Sequence, residues 1–428
     1  MPLQPGDVRI STTYNPATGY LTPDVNLRKL SSPIYFDELA RIIDTLGENS
    51  YAGVVFVGNV EQFVLDNVGN KIAGYESAPF ATLNDGYVAA CSRFGTPTAA
   101  KPVAVLVIGA NTTEVSTIQL CSSYVNIFGI GGSVVNGAAG VPIFTSCAAS
   151  GMSISGVSFL SNGAPVVEVP TSEPLTNGIT FDDCYFTNVG SAPTVAAGLF
   201  DVHATLNSPI VLKNCNIAPN NYSLLYYDPA AVTTSPVELA MKGGSIILGT
   251  NVTTVFQGLN YVGVNLTDVT VVVGVNNAQL FCTFNNTGTT YSEISTLKIV
   301  NNNSTTVYPL KLLNNARYNT VSWERIESDA NLILNPSAFS DATFTGTVLN
   351  SRWYKLSLSN LTLTLDTLQM VNCTGDLQFN VVAVNPTVEF VNITTNSPLK
   401  SVADTTALIT SNGAVAPKLF NCRLSYQL

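Results

Sequence analysis

Few residues in this chain suit proton-transfer chemistry. One histidine stands among 428 residues, His203, in the run Asp201-Val-His-Ala. If that run is extended, Asp201 and His203 lie on one face, because side chains alternate along a strand. A carboxylate beside an imidazole is a general acid or base with its orienting partner. The second candidate is Asp182-Asp183, two adjacent carboxyl groups of the kind that serve together as acid and base on a glycosidic bond. Neighbours in a strand face opposite ways, which hinders a shared substrate. Asp182-Asp183 therefore reads first as a turn residue with a solvated neighbour, and His203 as a satisfied structural histidine. Eight cysteines (Cys91, Cys121, Cys147, Cys184, Cys215, Cys282, Cys373 and Cys422) form no CxxC pair and no metal-ligand spacing. Buried free thiols packed as small hydrophobes are expected, with no metal and no cofactor.

The frame that must position these groups is legible in composition. Charged residues make up 11% of the chain and hydrophobic residues 46%, with Asn, Thr, Ser, Val and Gly where Lys and Glu usually stand. That mixture builds strands and turns rather than helices. The net charge of −10, with no Lys/Arg run, argues against nucleic-acid binding. No apolar run reaches the roughly 18 residues that span a bilayer, and the N-terminus shows neither the basic nor the apolar region of a secretory leader.

A short unit recurs along the chain: apolar, any, Asn/Asp/Gly, small or apolar, any, apolar. It appears as Ile154-Ser-Gly-Val-Ser-Phe159, Phe181-Asp-Asp-Cys-Tyr-Phe186, Leu212-Lys-Asn-Cys-Asn-Ile217 and Leu419-Phe-Asn-Cys-Arg-Leu424, among others. Its third position falls at Gly129, Gly156, Asp183, Asn214, Gly243, Asp268, Asn301, Asn360, Asn392 and Asn421. The spacings are 27, 27, 31, 29, 25, 33, 59, 32 and 29. The long interval spans two periods, with a degenerate coil around Val321–Ile326. Met370-Val-Asn-Cys-Thr matches the unit but falls out of phase. A steady period of strand-like units is the mark of a solenoid. Alternate apolar side chains would fill a narrow core, and the Gly/Asn/Asp position would turn the chain through the left-handed region. Asn above Asn in successive coils would form an amide ladder. Cys184, Cys215 and Cys422 follow that turn residue, which points to equivalent packing sites.

Ahead of the repeat, Phe80, Leu83, Tyr87, Cys91 and Phe94 fall on one helical face, with Gly95 to end the helix. Strands are expected at Pro102–Gly109, Glu114–Leu120 and Tyr124–Ile130. The opening Phe80-Ala-Thr-Leu83, then Thr117-Ile-Gln-Leu120 and Val125-Asn-Ile-Phe-Gly-Ile-Gly131, resembles the start of the pectin-lyase-like β-helix superfamily. The resemblance covers Ala78 to Leu428. It implies an all-β, right-handed parallel β-helix with a helical N-terminal cap. Residues 1–77 read as a separate small α+β module: an extended arm, a helix from Ser32-Pro33 to Gly47, and two strands within Glu61–Tyr75. Residues 78–428 form the cap and solenoid.

Enzymes of that superfamily act on acidic polysaccharides, yet their signatures are not found here. His203 lacks Gly-His-Gly flanks, and no "GxxDFIFG" or "WIDH"-like segment occurs. The expected function is therefore a structural virion protein (spike, fibre or capsid-associated β-helix) with host-surface contact. The alternative is a polysaccharide-degrading β-helix enzyme of the tailspike type, with Asp182, Asp183, Asp201 and His203 as its candidate residues. Expected partners are other virion proteins through residues 1–77, further copies in a homotrimer, and a cell-surface glycan. The expected location is the virion, otherwise extracellular. Asn221–Asp228, rich in tyrosine, is the candidate exposed contact patch. Ten Asn-X-Ser/Thr sequons follow from an Asn/Thr-rich repeat.

Overall fold

The computed structural model describes residues 51–58, 79–109, 111–147, 151–172, 178–191, 197–204, 208–227 and 237–249. It also describes most strand segments between 251 and 424 and the short strands Tyr14–Asn15 and Tyr20–Leu21. The helix expected over Ser32–Gly47, the strand pair expected over Glu61–Tyr75, and Cys422 lie outside the described residues. The chain divides into two compact units, Met1–Gly190 and Ser191–Leu428. Both are parallel β-helices. Among the described residues no helix is long and apolar enough to cross a membrane.

In the first unit, strands stack in register at each coil. Gly53–Gly58 pairs with Val103–Ile108, which pairs with Val125–Ile130. Val125–Ile130 is followed on the same sheet by Met152–Ser155 and Ile179–Asp182. The strand Gly53–Gly58 thus carries the sheet upstream of the helix. A second run stacks Asn111–Glu114, Val134–Gly137, Ser158–Asn162 and Tyr185–Val189. Alternation decides what fills the core. Phe159 and Phe186 are register partners with rings stacked 5.4 Å apart, and Phe144 and Phe181 meet them edge-on. Glu114–Leu120 is two strands rather than one: the chain breaks after Glu114 and resumes at Ile118, leaving Val115 exposed.

The helix Leu83–Arg93 closes this core. Thr82 caps it, its hydroxyl accepting from the Asp85 amide at 3.1 Å, and Gly95 follows with φ 75°. Leu83, Gly86, Tyr87, Ala89 and Ala90 are buried, and a Cβ at Gly86 would stand 2.3 Å from Val57 Cγ2. The missing side chain is what lets helix and first coil approach so closely.

The repeat position behaves as a turn over much of the chain. Asp183, Asn214 and Asp268 have φ of 52°, 51° and 55°, and Gly156 and Gly243 are also left-handed. Gly129 shares register with this column but is extended, with a Cβ there only 2.3 Å from Gly156 O. Further on, the sequence assignment slips. Asn301 lies opposite Val273 at the far end of its strand, not at the turn. Register runs instead from Asp268 through Thr296 to Arg325, then to Asn350 and Asn372. Arg325, Asn350 and Asn372 have φ of 53°, 50° and 54°. Met370-Val-Asn-Cys-Thr is therefore in phase. Coils here are shorter, 22 residues from Asn350 to Asn372, so a fixed period near 29 steps over one of them.

The thiols follow the same geometry. Cys184, Cys215 and Cys373 are buried, each directly after a left-handed residue. Each thiol donates to the carbonyl two residues back: Asp182 at 3.4 Å, Lys213 at 3.2 Å and Val371 at 3.4 Å. The expectation of free thiols fails at Cys121 and Cys147, which form a disulfide across two successive coils. They follow Leu120 and Ser146, which are register partners, so stacking brings the two sulfurs together.

Candidate functional site

The sequence candidates separate once placed. Asp183 occupies the turn and is exposed, while Asp182 ends the strand Ile179–Asp182, half-buried and aligned with Ser155. Their positions are those of a turn residue and its neighbour.

Asp201 and His203, in the second unit, are brought together. Asp201 lies in the strand Gly198–Val202, every residue of which is buried, and His203 follows the strand end on the same face. His203 Nε2 stands 3.2 Å from Asp201 Oδ1, with the imidazole side chain 33% exposed and the carboxylate 11%. The next coil supplies Ser223–Tyr227, paired in parallel so that Tyr226 lies directly beside Asp201. The Tyr226 ring meets the imidazole edge-on with centroids 6.0 Å apart. Tyr222, also buried, has its phenol held above its ordinary pKa, first by burial and then by the Asp201 carboxylate nearby.

The group therefore consists of a sheltered carboxylate, a half-open imidazole against it, and two tyrosines. A carboxylate at this distance is placed to orient the imidazole beside it. Asp182 and Asp183 belong to the other unit.

Tyr222 and Tyr226 were assigned by sequence to an exposed contact patch, and the structure corrects that. Residues Tyr222 to Tyr227 are all buried. Their strand is apolar on both faces, so aromatic richness here reflects packing rather than an interface. The available signal was the unbroken run Leu224-Leu-Tyr-Tyr227, which marks a strand covered on both sides.

Glu114 gave no functional signal in sequence and proves structural. It is 1% exposed, and its two carboxylate oxygens accept from the Leu83 and Asn84 amides at 2.8 and 3.0 Å. A carboxylate at a helix N-terminus satisfies amides that have no partner within the helix.

The outer surface carries side-chain ladders between coils. Asn372 Nδ2 donates to Asn350 Oδ1 at 3.0 Å, Asn251 Nδ2 to Asn221 Oδ1 at 2.8 Å and Ser245 Oγ to Asn216 Oδ1 at 2.8 Å. Ser295 Oγ donates to Thr267 Oγ1 at 2.9 Å, and in the first unit Asn136 donates to Asn111.

No family model, curated protein or solved structure matches this chain. The fold and the local geometry therefore carry the functional reading. They define a parallel β-helix with polar, amide-rich outer ladders and one sheltered carboxylate–imidazole pair.

Proposed function

We propose that this chain is a structural protein of a virus particle, a spike, fibre or capsid-associated β-helix that meets a host-surface glycan. The observation that carries this reading is the set of inter-coil ladders built from uncharged side chains. Asn, Ser and Thr pair coil to coil, alongside charged rungs such as Arg352–Glu327 and Asn350–Glu324, and the uncharged rungs are insensitive to salt. The same amides and hydroxyls, fixed in rows, offer donors and acceptors to a hydroxyl-rich ligand. The Cys121–Cys147 disulfide fits a protein that works outside a reducing compartment. In this reading residues 1–77 hold the chain to other virion proteins, and three copies assemble as a homotrimer.

A second reading, a polysaccharide-degrading enzyme, is favoured by one observation: the Asp201–His203 pair with Tyr226 beside it. There His203 would move the proton and Asp201 would orient it.

Mass spectrometry of purified particles, with antibody labelling of intact ones, tests the first reading. Stoichiometric chain in the particle and surface labelling are expected. A chain found only in the soluble fraction of the producing cells would remove the virion assignment.

A further inference from the structure

The sheet that opens the first unit is apolar on both sides. Toward the core, Val55, Val105 and Ile127 stack in register, and a Cβ at Gly86 of the cap helix would meet Val55, Val57 and Val105. The opposite, outward side carries Val54 and Phe56, then Ala104, Leu106 and Ile108, then Phe128 and Ile130. All of these are buried, Leu106 at 1% and Phe56 at 5% exposure. The next two coils differ. Ser155 and Asp182 continue the column of Phe56, Leu106 and Phe128, and both are half-buried. The outward face therefore changes from apolar and closed to polar and open after the strand Val125–Ile130. Tyr51 lies on the closed part. Its ring meets Phe128 edge-on at 6.2 Å, and its hydroxyl accepts from Asn126 Nδ2 at 2.8 Å. Farther upstream, the strand Tyr20–Leu21 lies against Gly53–Gly58.

We propose that residues 33–47 dock as a helix on this outward face, so that the chain covers its own first coils. Phe36, Leu39, Ala40, Ile43 and Leu46 recur at helical spacing, with Asp37, Glu38, Arg41 and Asp44 on the other side. As a helix, residues 33–47 span about 22 Å. The strands beneath them, Gly53–Gly58 and Val103–Ile108, run for about 20 Å. A helix about 10 Å across also fits the width of the patch, whose outermost strands stand roughly 10 Å apart. Residues 48–52 alone join Gly47 to Gly53–Gly58. So short a connection lays the helix antiparallel to that strand and against its sheet. The cap helix takes the core side, which leaves the outward side, where Tyr51 already enters. Residues 59–78 leave the strand at its other end and return at Phe80, which bonds to the backbone of Phe56 and Gly58. The cover holds whether or not the chain belongs to a virus particle. It moves the start of the β-helix body upstream from residue 78 to residue 33.

The test uses the full chain with the photoreactive p-benzoylphenylalanine in place of Phe128. Normal and heavy-isotope protein are mixed and irradiated, and the cross-linked peptides are mapped by mass spectrometry. The expected product joins position 128 to a peptide from residues 33–47, both halves carrying the same isotope. Leu39→Asp with Ile43→Asp should abolish that product. In the same background, a Leu106→Cys thiol should react with maleimide about tenfold faster than with the native segment, because its cover has opened. Retained strand circular dichroism would show that the sheet itself survives. If the aspartates unfold the chain, the cross-link map alone decides. Cross-links to residues 59–78, to Tyr51 alone, or between chains of different isotope would each overturn the proposal, the last by making the cover a second copy. Equal protection of Leu106→Cys with and without the aspartates would overturn it as well.

Discussion

Glu114 in the first unit and Asp201 in the second are both nearly buried carboxylates, 1% and 8% exposed, and they are treated in opposite ways. Glu114 has both oxygens bound by backbone amides of the cap helix, so its charge is consumed in holding that helix on the coil. Asp201 faces a side chain that is itself open to solvent and able to change protonation. Burial alone therefore does not mark a functional acid. What distinguishes the two is whether the partner is fixed backbone or a titratable group that a ligand can reach.

That contrast can be broken most forcefully at Glu114. Glu114→Ala leaves two helix amides without an acceptor in a closed core, and is expected to destabilise the first unit by about 3 kcal/mol. Glu114→Gln, which keeps one acceptor, should cost roughly half as much. Denaturant unfolding followed by circular dichroism measures both. Equal stability of Glu114→Ala and wild type would show that the cap does not depend on this carboxylate.

The turn column gives a smaller effect and separates a turn role from a catalytic one. At φ 52°, Asp183→Ala is expected to cost about 1 kcal/mol, whereas Asp183→Gly should be neutral or slightly stabilising. If Gly costs more than Ala, the Asp183 side chain has a function the turn does not explain. At Asp201, Asn retains an acceptor beside a half-exposed imidazole that water can also serve. Asp201→Asn should therefore cost under about 1 kcal/mol, less than Glu114→Ala, by the same unfolding measurement.

The smallest effect is spectroscopic. The Tyr87 and Tyr222 phenols are both held above the ordinary value of 10, chiefly by burial, with the Cys91 sulfur and Asp201 respectively adding to it. A raised folded-state pKa favours the neutral phenol. Its stabilising contribution is complete below pH 10 and is lost as pH rises above that value toward the folded-state pKa. Phenolate absorbance in native protein should show late-titrating tyrosines. Asp201→Asn should shift one of them, Tyr222, to lower pH and leave Tyr87 unmoved. An unchanged titration curve would separate Tyr222 from Asp201.

Much of the fold is legible in the sequence, because strand alternation and turn chemistry are local. Asp183, Asn214 and Asp268 announce their turns by residue type, and Phe80 to Gly95 announces the cap by its periodicity. Reading failed where the signal was not local. Arg325 turns the chain at φ 53° although its type gives no hint, and the shortened coils before Asn372 shift a period that was assumed steady. The Cys121–Cys147 link depends on stacking register, which spacing does not reveal. At the site, Asp201 and His203 could be paired from their i, i+2 positions. Tyr226 could not, because it arrives from the next coil and only register places it beside Asp201.

The central claim, a surface-presenting β-helix rather than a glycan-cleaving one, meets its most direct test in a turnover assay. Purified protein and its Asp201→Asn variant are incubated with acidic and capsular polysaccharides, and new chain ends are counted by reducing-sugar and unsaturated-product absorbance. The account predicts binding without products above the blank for both proteins. Products from the wild type that disappear in Asp201→Asn would contradict it and make the carboxylate–imidazole pair an active site.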